Sequence, residues 1–299
     1  MRNFKRVMVC SDTHTGHHYG LTPPEWWFGK DSGDRLQRDI GDYQRDLWGF
    51  AADTIERLKP IDILLMTGDA IDGKGEKSGG VEQLTTDRVE QCRMLARFID
   101  ETEADKVRMV YGTRYHVGKE DDFESIIPDF SRCKDIKIEG HGFYNVNGCV
   151  IDAKHKIGAS QIPHGRHTAI SKARMWNVMW HNEKAKHPLS NIILRGHVHY
   201  FNYAGGPSWV GVTLPALCYH TIFGVRECEG LVDLGLVWFD IYDSGRFSWD
   251  WRMAEFPGLD VEATILRLLK YPRSGRPQSR ASAAGRVLWT TRLRPRLTQ

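Results

Sequence analysis

The feature that most limits the fold of this chain is an alternation near its start. Short apolar runs at residues 6–11, 61–67 and 107–111 are separated by two long segments with helical spacing. In residues 36–58 the positions Ile40, Tyr43, Leu47, Phe50, Ala51 and Ile55 form one apolar stripe. In residues 86–101 Val89, Cys92, Leu95, Ala96 and Ile99 form another. A strand–helix–strand–helix–strand order implies parallel strands with helices over the sheet faces. After about residue 135 the pattern changes. Residues 144–152 read as a hairpin turning at Asn147-Gly148. Residues 166–181 read as a helix, 191–195 as a strand, and 201–203, 209–214, 234–242 and 247–252 as further short strands. The expectation is an α/β fold whose parallel half is followed by a more antiparallel half.

Composition removes several classes. At 299 residues the chain can bury a large core without staples. The expected organisation is one domain over residues 1–258 and an extension over 259–299, basic and disordered from about 271, with Leu288-Trp289 as a small anchoring spot. The extension carries seven arginines and no acid from residue 271 onward, so a net charge of +3 leaves the body at −4. No duplex-binding surface shows in that balance. No apolar run reaches the ~18 residues a membrane span needs, and the N-terminus has no apolar signal region. The six cysteines include no C-x-x-C pair. Reduced thiols in a cytoplasmic protein are expected. Neither G-x-S-x-G nor a G-x-G-x-x-G after the first strand is present, which removes serine-hydrolase and dehydrogenase readings. Gly68 to Gly75 nearly matches a nucleotide-binding loop, but Gly75 lacks the hydroxyl that such a loop gives to Mg²⁺. Lys74 and Lys77 beside it are candidates to meet a phosphate.

In α/β sheets ligands bind beyond the carboxyl ends of the strands. Here those ends read Asp12-Thr13-His14, Gly68-Asp69-Ala70-Ile71-Asp72, Gly112-Thr113-Arg114-Tyr115-His116, His155, and Gly196-His197-Val198-His199. Five strands ending in Asp or His exceed what capping explains. Carboxylates and imidazoles together suit Mn²⁺, Fe or Zn²⁺. Glycines at 68, 112 and 196 permit sharp turns beside an ion. Two cations about 3.5–4 Å apart would clamp an in-line displacement at phosphorus.

These residues resemble the calcineurin-like metallophosphoesterase family, whose pattern is D-x-H, G-D-x-x-D, G-N-H-[DE], a lone H, and G-H-x-H. Four of the five blocks match in order, over roughly residues 5–250. Longer strings, among them Asp72-Gly73-Lys74-Gly75 and Tyr115-His116-Val117-Gly118-Lys119, are similar to a branch encoded by bacteriophages. The resemblance implies two packed mixed β-sheets flanked by helices, a four-layer αββα sandwich. It implies two divalent metal ions, Mn²⁺ first and Fe, Zn²⁺ or Ni²⁺ as alternatives. Asp12, His14 and His199 would hold one, His155 and His197 the other, and Asp69 would bridge them. It implies a phosphoesterase acting on phosphodiesters of nucleotides or nucleic acid, in the host cytoplasm if phage-encoded. The alternatives are a phosphomonoesterase and a catalytically retired domain that binds a partner.

The third block departs from the family. Thr113 stands for its Asn and Arg114 for its His. His116 is the expected substitute, as ligand or general acid, and Arg114 is expected to neutralise phosphoryl charge. Asp72 either orients a ligating histidine or caps a loop. Arg166 either holds a phosphate oxygen or lies on the surface. His17 and His18 are expected as a solvent-exposed pair, and His220 is a remoter candidate. The loop over residues 19–33, with Trp26-Trp27, either lines the site or packs its aromatics onto the body.

Overall fold

In a computed structural model of the chain, the residues described are 2–29, 32–76, 78–118, 122–160, 162–183, 187–219 and 231–255. Eleven strands occur among them: β1 Phe4–Cys10, β2 Ile63–Met66, β3 Lys106–Val110, β4 Ile136–Glu139, β5 Gly142–Val146, β6 Cys149–Lys154, β7 Ile192–Arg195, β8 Asn202–Gly206, β9 Trp209–Thr213, β10 Gly235–Tyr242 and β11 Phe247–Met253. The α-helices are α1 Arg35–Leu58, α2 Arg88–Thr102, the one-turn α3 Arg114–Val117 and α4 Arg166–Asn182. Asp34 and Asp87 cap α1 and α2 by accepting the first free backbone N–H groups.

Two mixed sheets result. One has the order β11-β10-β1-β2-β3-β4, parallel from β1 through β4 and antiparallel at β10 and β11. The other has the order β5-β6-β7-β9-β8, parallel at its centre and antiparallel at both edges. The inward residues of the first sheet (Val7, Val9, Leu65, Val237, Phe239, Ile241) meet those of the second (Ile151, Ala153, Ile192, Leu194, Val212) in one buried core. α1 packs against α2 and β10 on one side, and α4 packs against β7, β8 and β9 on the other. These are two mixed sheets flanked by helices, with a compact unit over Met1–Pro257. The expected tail, its Leu288-Trp289 spot, Lys77, Lys119 and His220 lie outside the described residues.

Strand β4 is one element that the apolar runs do not predict, because it is an alternation of only four residues; it pairs parallel to β3 through Ile136 and Ile138. Among the described residues no helix is long and apolar enough to cross a membrane. Cys10, Cys92, Cys133, Cys149 and Cys218 are free thiols.

The topology positions the strand ends. The parallel pairing of β1 with β2 continues past both strands as a backbone ladder. Asp12 N–H donates to Gly68 O, His14 N–H to Asp69 O, Thr15 N–H to Ala70 O and Asp72 N–H to Thr15 O. The D-x-H and G-D-x-x-D segments are therefore held side by side. The second sheet is tied to them where Leu217 N–H donates to Asp12 O (3.1 Å) and His197 N–H to Asp12 Oδ2 (3.0 Å).

Candidate metal centre

At the shared carboxyl ends of β1, β2, β6 and β7 the structure brings together two groups of potential ligands. Asp12, His14 and His199 form one, and Asp69, His155 and His197 form the other, each with its donor atoms mutually within 4.8 Å. His14, Asp72 and His116 also converge. That third group resolves into hydrogen bonds: Asp72 Oδ1 accepts from His14 Nδ1 (2.8 Å) and lies 3.2 Å from His116 Nδ1.

The backbone at these residues is unusual. Asp12, His14, Asp69, His197 and His199 have φ of 50°, 42°, 45°, 75° and 53°. The other described non-glycine residues with positive φ are Glu103, which ends α2, and Asn147 in the hairpin turn. A left-handed conformation costs a residue with a Cβ roughly 1–3 kcal/mol, and such strain collects at functional sites. Five ligand-type residues sharing it bring their side chains off the strand ends and toward one another.

The side chains are prepared for a cation. A carbonyl oxygen only accepts, so His155 must carry its proton on Nδ1, which donates to Thr67 O at 2.6 Å. The same holds for His116 Nδ1 on Asp72 O (2.9 Å). His14 Nδ1 donates to the Asp72 carboxylate. In all three rings the Nε2 is left facing other members of the cluster. His14 Nε2 and His199 Nε2 face each other at 3.3 Å. His199 Nε2 lies 3.1 Å from Asp12 Oδ1 and His155 Nε2 lies 3.0 Å from Asp69 Oδ2. Yet Asp12 Oδ1 and His155 Nε2 are buried and misaligned for a hydrogen bond among the described residues. Close approach without hydrogen-bond alignment fits atoms aimed at a common ion. The carboxylate–imidazole donor set suits Mn²⁺, Fe or Zn²⁺.

The electrostatics agree. Burial pushes the Asp12 carboxyl up, but His199, His155 and His14 hold it well below the ordinary range. Burial likewise opposes ionisation of Asp69, and His155 and His116 reverse it. Asp72 is held low against its burial by His116 and His14. Burial, then the neighbouring His116, lowers His14, which favours the neutral, ligating form. Burial and His155 lower His197 in the same way. Burial alone would lower His155 and His116; Asp69 raises His155 to about 9, and Asp72 with Asp69 raises His116 to about 9. His116, His197 and His199 are half-buried while Asp12, His14, Asp69, Asp72 and His155 are buried, so the cluster opens to solvent on one side.

The third block behaves differently from its counterparts. Thr113 turns toward Asp69: its N–H and its hydroxyl reach Asp69 Oδ1 at 2.5 and 3.1 Å. Gly112 makes this possible, because a Cβ there would lie 2.2 Å from Asp69 Oδ1. A Cβ on Gly68 (φ 89°) would fall 2.7 Å from the His155 ring. His116 enters the cluster from α3, with its ring edge-on to His14 at 4.5 Å between centroids and Nε2 3.9 Å from Asp69 Oδ2. Arg114 is exposed at the first position of α3, and among the described residues it makes no hydrogen bond or ion pair with the cluster.

Asp72 orients His14 and His116, and its other oxygen accepts from Gln83 Nε2. Arg166 lies over the Tyr200 ring at 4.3 Å. Lys74 is exposed. The expected exposure of His17 is wrong: it is 1% exposed, because the chain after His14 turns inward, and its Nδ1 accepts from Tyr19 N–H. His18 is half-buried and stacks on Phe28. The described residues 19–29 of the loop pack onto the body, with Trp26 Nε1 donating to Glu90 and Phe28 N–H to Gln44 Oε1, while Trp27 Nε1 donates within the loop to Thr22 O.

Two buried polar residues were missed. Gln91 on α2 exchanges hydrogen bonds with Gly73 N–H and O, while its own carbonyl accepts from Thr15 Oγ1, so it joins both ligand loops to the helix. A glutamine beside the apolar stripe of α2 was a usable signal. Glu124, in the 3₁₀ helix Phe123–Asp129, accepts from Ala70 N–H (2.8 Å) and Gly112 N–H (3.0 Å). No motif marks it. Burial raises its carboxyl to about 7.

A scan against protein-family models and a search of curated proteins find no match to the chain. Solved structures do align with it. An archaeal phosphodiesterase aligns at 10% identity and TM-score 0.42, over 83% of this chain and 99% of that one. A predicted phosphoesterase from Streptococcus pneumoniae aligns at 13% identity and TM-score 0.38, over 87% and 97%. Wild-type Vps29 of Entamoeba histolytica, solved with Zn²⁺, aligns at 14% identity and TM-score 0.38, over 83% and 98%. At these values the likeness carries no argument about what this chain does.

Proposed function

We propose that this chain is a metal-dependent phosphoesterase of the calcineurin-like type, using two divalent cations, Mn²⁺ first among them. The observation that carries the reading is the pair of Asp/His/His groups built on five strained backbone positions. Asp12, His14 and His199 would hold one cation; Asp69, His155 and His197 the other, with Asp69 also facing the first. Bound cations would supply an activated water and neutralise charge on the phosphoryl group.

The chain's own groups have separate tasks. Asp72 and Thr67 O fix the rings of His14 and His155 with Nε2 toward the other ligand-type residues. Thr113 holds the Asp69 carboxylate. His116 is the proton donor to the leaving oxygen. Its Nδ1–H is held by Asp72, so the proton available for transfer is on Nε2, 3.9 Å from Asp69 Oδ2 in the half-buried part of the cluster. A general acid is worth about 10²–10⁴-fold for a poor leaving group. His116 thereby supplies what the altered third block lacks.

The substrate class we propose is phosphodiesters of nucleotides or nucleic acid, on the strength of the strings similar to the phage-encoded branch. Hydrolysis of bis(p-nitrophenyl) phosphate and of p-nitrophenyl phosphate by metal-stripped protein, with and without added Mn²⁺, tests both levels. Mn²⁺-dependent turnover of the diester that Asp69→Asn abolishes supports the reading. Turnover of the monoester alone overturns the substrate class, and no turnover of either overturns the enzyme.

A further inference from the structure

Glu124 stands apart from every motif in the chain, yet it touches two of the loops that build the metal centre. Its carboxylate is completely buried. One oxygen accepts from Ala70 N–H, the residue after Asp69; the other accepts from Gly112 N–H, the residue before Thr113. Thr113 in turn holds Asp69 Oδ1 through its N–H and its hydroxyl. The contacts close a ring: Glu124 to Ala70, along the chain to Asp69, across to Thr113, back along the chain to Gly112, and across to Glu124.

The ring has a mechanical consequence. Asp69 sits at φ 45°, a left-handed conformation that costs energy and that its surroundings help to hold. Gly112 backbone lies directly against the Asp69 carboxylate. If the gap between the two loops widened, the carboxylate would lose both Thr113 donors and turn out of line with His155. A carboxylate is the one side chain of this length that offers two separate acceptor oxygens, one for each of the two N–H groups. Glutamine keeps the shape but offers one acceptor, leaving its amide N–H₂ against a backbone N–H.

We infer that Glu124 is a positioning residue for the metal centre: it locks the Asp69 and Thr113 loops together so that Asp69 presents its carboxylate to the cation beside His155. This rests on the reading of Asp69 as a metal ligand. It predicts a defect in metal affinity, since the carboxylate acts on the backbone N–H groups of the two loops.

The test compares wild type, Glu124→Gln and Asp100→Asn, each metal-stripped and then titrated with Mn²⁺ by equilibrium dialysis. Asp100 is a control of similar kind. Its carboxylate accepts from Arg132 N–H and Ser131 Oγ in the same part of the fold, without touching a ligand loop. Thermal unfolding of the metal-free proteins reports stability separately. For Glu124→Gln we expect a loss of Mn²⁺ affinity on the order of tenfold or more, with turnover recovered at high Mn²⁺. Asp100→Asn should keep wild-type Mn²⁺ affinity at a comparable loss of Tm. Unchanged affinity in Glu124→Gln, or an equal loss in both variants, overturns the inference. A wild type that takes up no Mn²⁺ overturns the metal-site reading first and this inference with it.

Discussion

His14 Nδ1 lies 2.8 Å from Asp72 Oδ1, and both groups are buried. A histidine that ligates a metal through Nε2 is commonly held by a carboxylate on its other nitrogen, which sets the tautomer and raises its basicity. Here the Asp72 carboxylate holds His14 Nδ1 and also lies 3.2 Å from His116 Nδ1, whose hydrogen bond is to the Asp72 backbone oxygen. Asp72→Asn should therefore weaken Mn²⁺ binding by about 10–100-fold and also lower turnover at saturating Mn²⁺. Titration calorimetry beside steady-state kinetics separates the two effects. A loss in only one would assign Asp72 to only one of the rings.

His116 is placed to protonate a leaving oxygen, so its value depends on the leaving group. His116→Gln should reduce hydrolysis of an alkyl phosphodiester by about 10²–10⁴-fold. A p-nitrophenyl ester, whose leaving group departs without a proton, should lose far less. Equal losses on both esters would make His116 a structural or ligating residue.

Without metal, the cluster should favour protons on two imidazoles. His155 and His116 are raised from the ordinary 6.5 to about 9, by Asp69 and by Asp72 with Asp69, against the effect of burial. A raised imidazole stabilises the fold fully below about pH 6.5 and ceases to do so as pH rises through about 9. These two groups should make the Tm of metal-free protein fall between those limits. Mn²⁺ must displace the His155 proton, so its apparent affinity should rise up to roughly tenfold per pH unit over the same interval. Unfolding scans and dialysis at pH 6.5, 7.5 and 8.5 check both trends.

Gly112→Ala tests the close contact of two loops. The new Cβ would lie 2.2 Å from Asp69 Oδ1, with the Asp69 backbone nitrogen at 2.3 Å, so something must move. Overpacking of this kind costs about 1–3 kcal/mol. We expect a lower Tm and loss of Mn²⁺ from the Asp69 group, read by unfolding and dialysis.

Much of this was legible in the sequence. Apolar periodicity located the three long helices and most strands, though not the one-turn helix that carries His116, and the Asp and His residues at strand ends followed from where strands stop. Other parts were hidden, for identifiable reasons. Asp12, His14, Asp69, His197 and His199 take left-handed backbone conformations that their residue types do not announce. His17, next to a second histidine, reads as solvated, but the turn after His14 carries it into the interior. Thr113 looked like a lost ligand, whereas its N–H and hydroxyl hold Asp69. Glu124 acts on backbone N–H groups, which every residue has, so no pattern of side chains could point to it.

The central claim is that the two Asp/His/His groups each hold a cation. Crystals of the metal-stripped protein soaked in Mn²⁺ test it through anomalous diffraction. The account predicts two anomalous peaks, one among Asp12, His14 and His199 and one among Asp69, His155 and His197. Strong peaks elsewhere, or none at either group, would contradict it.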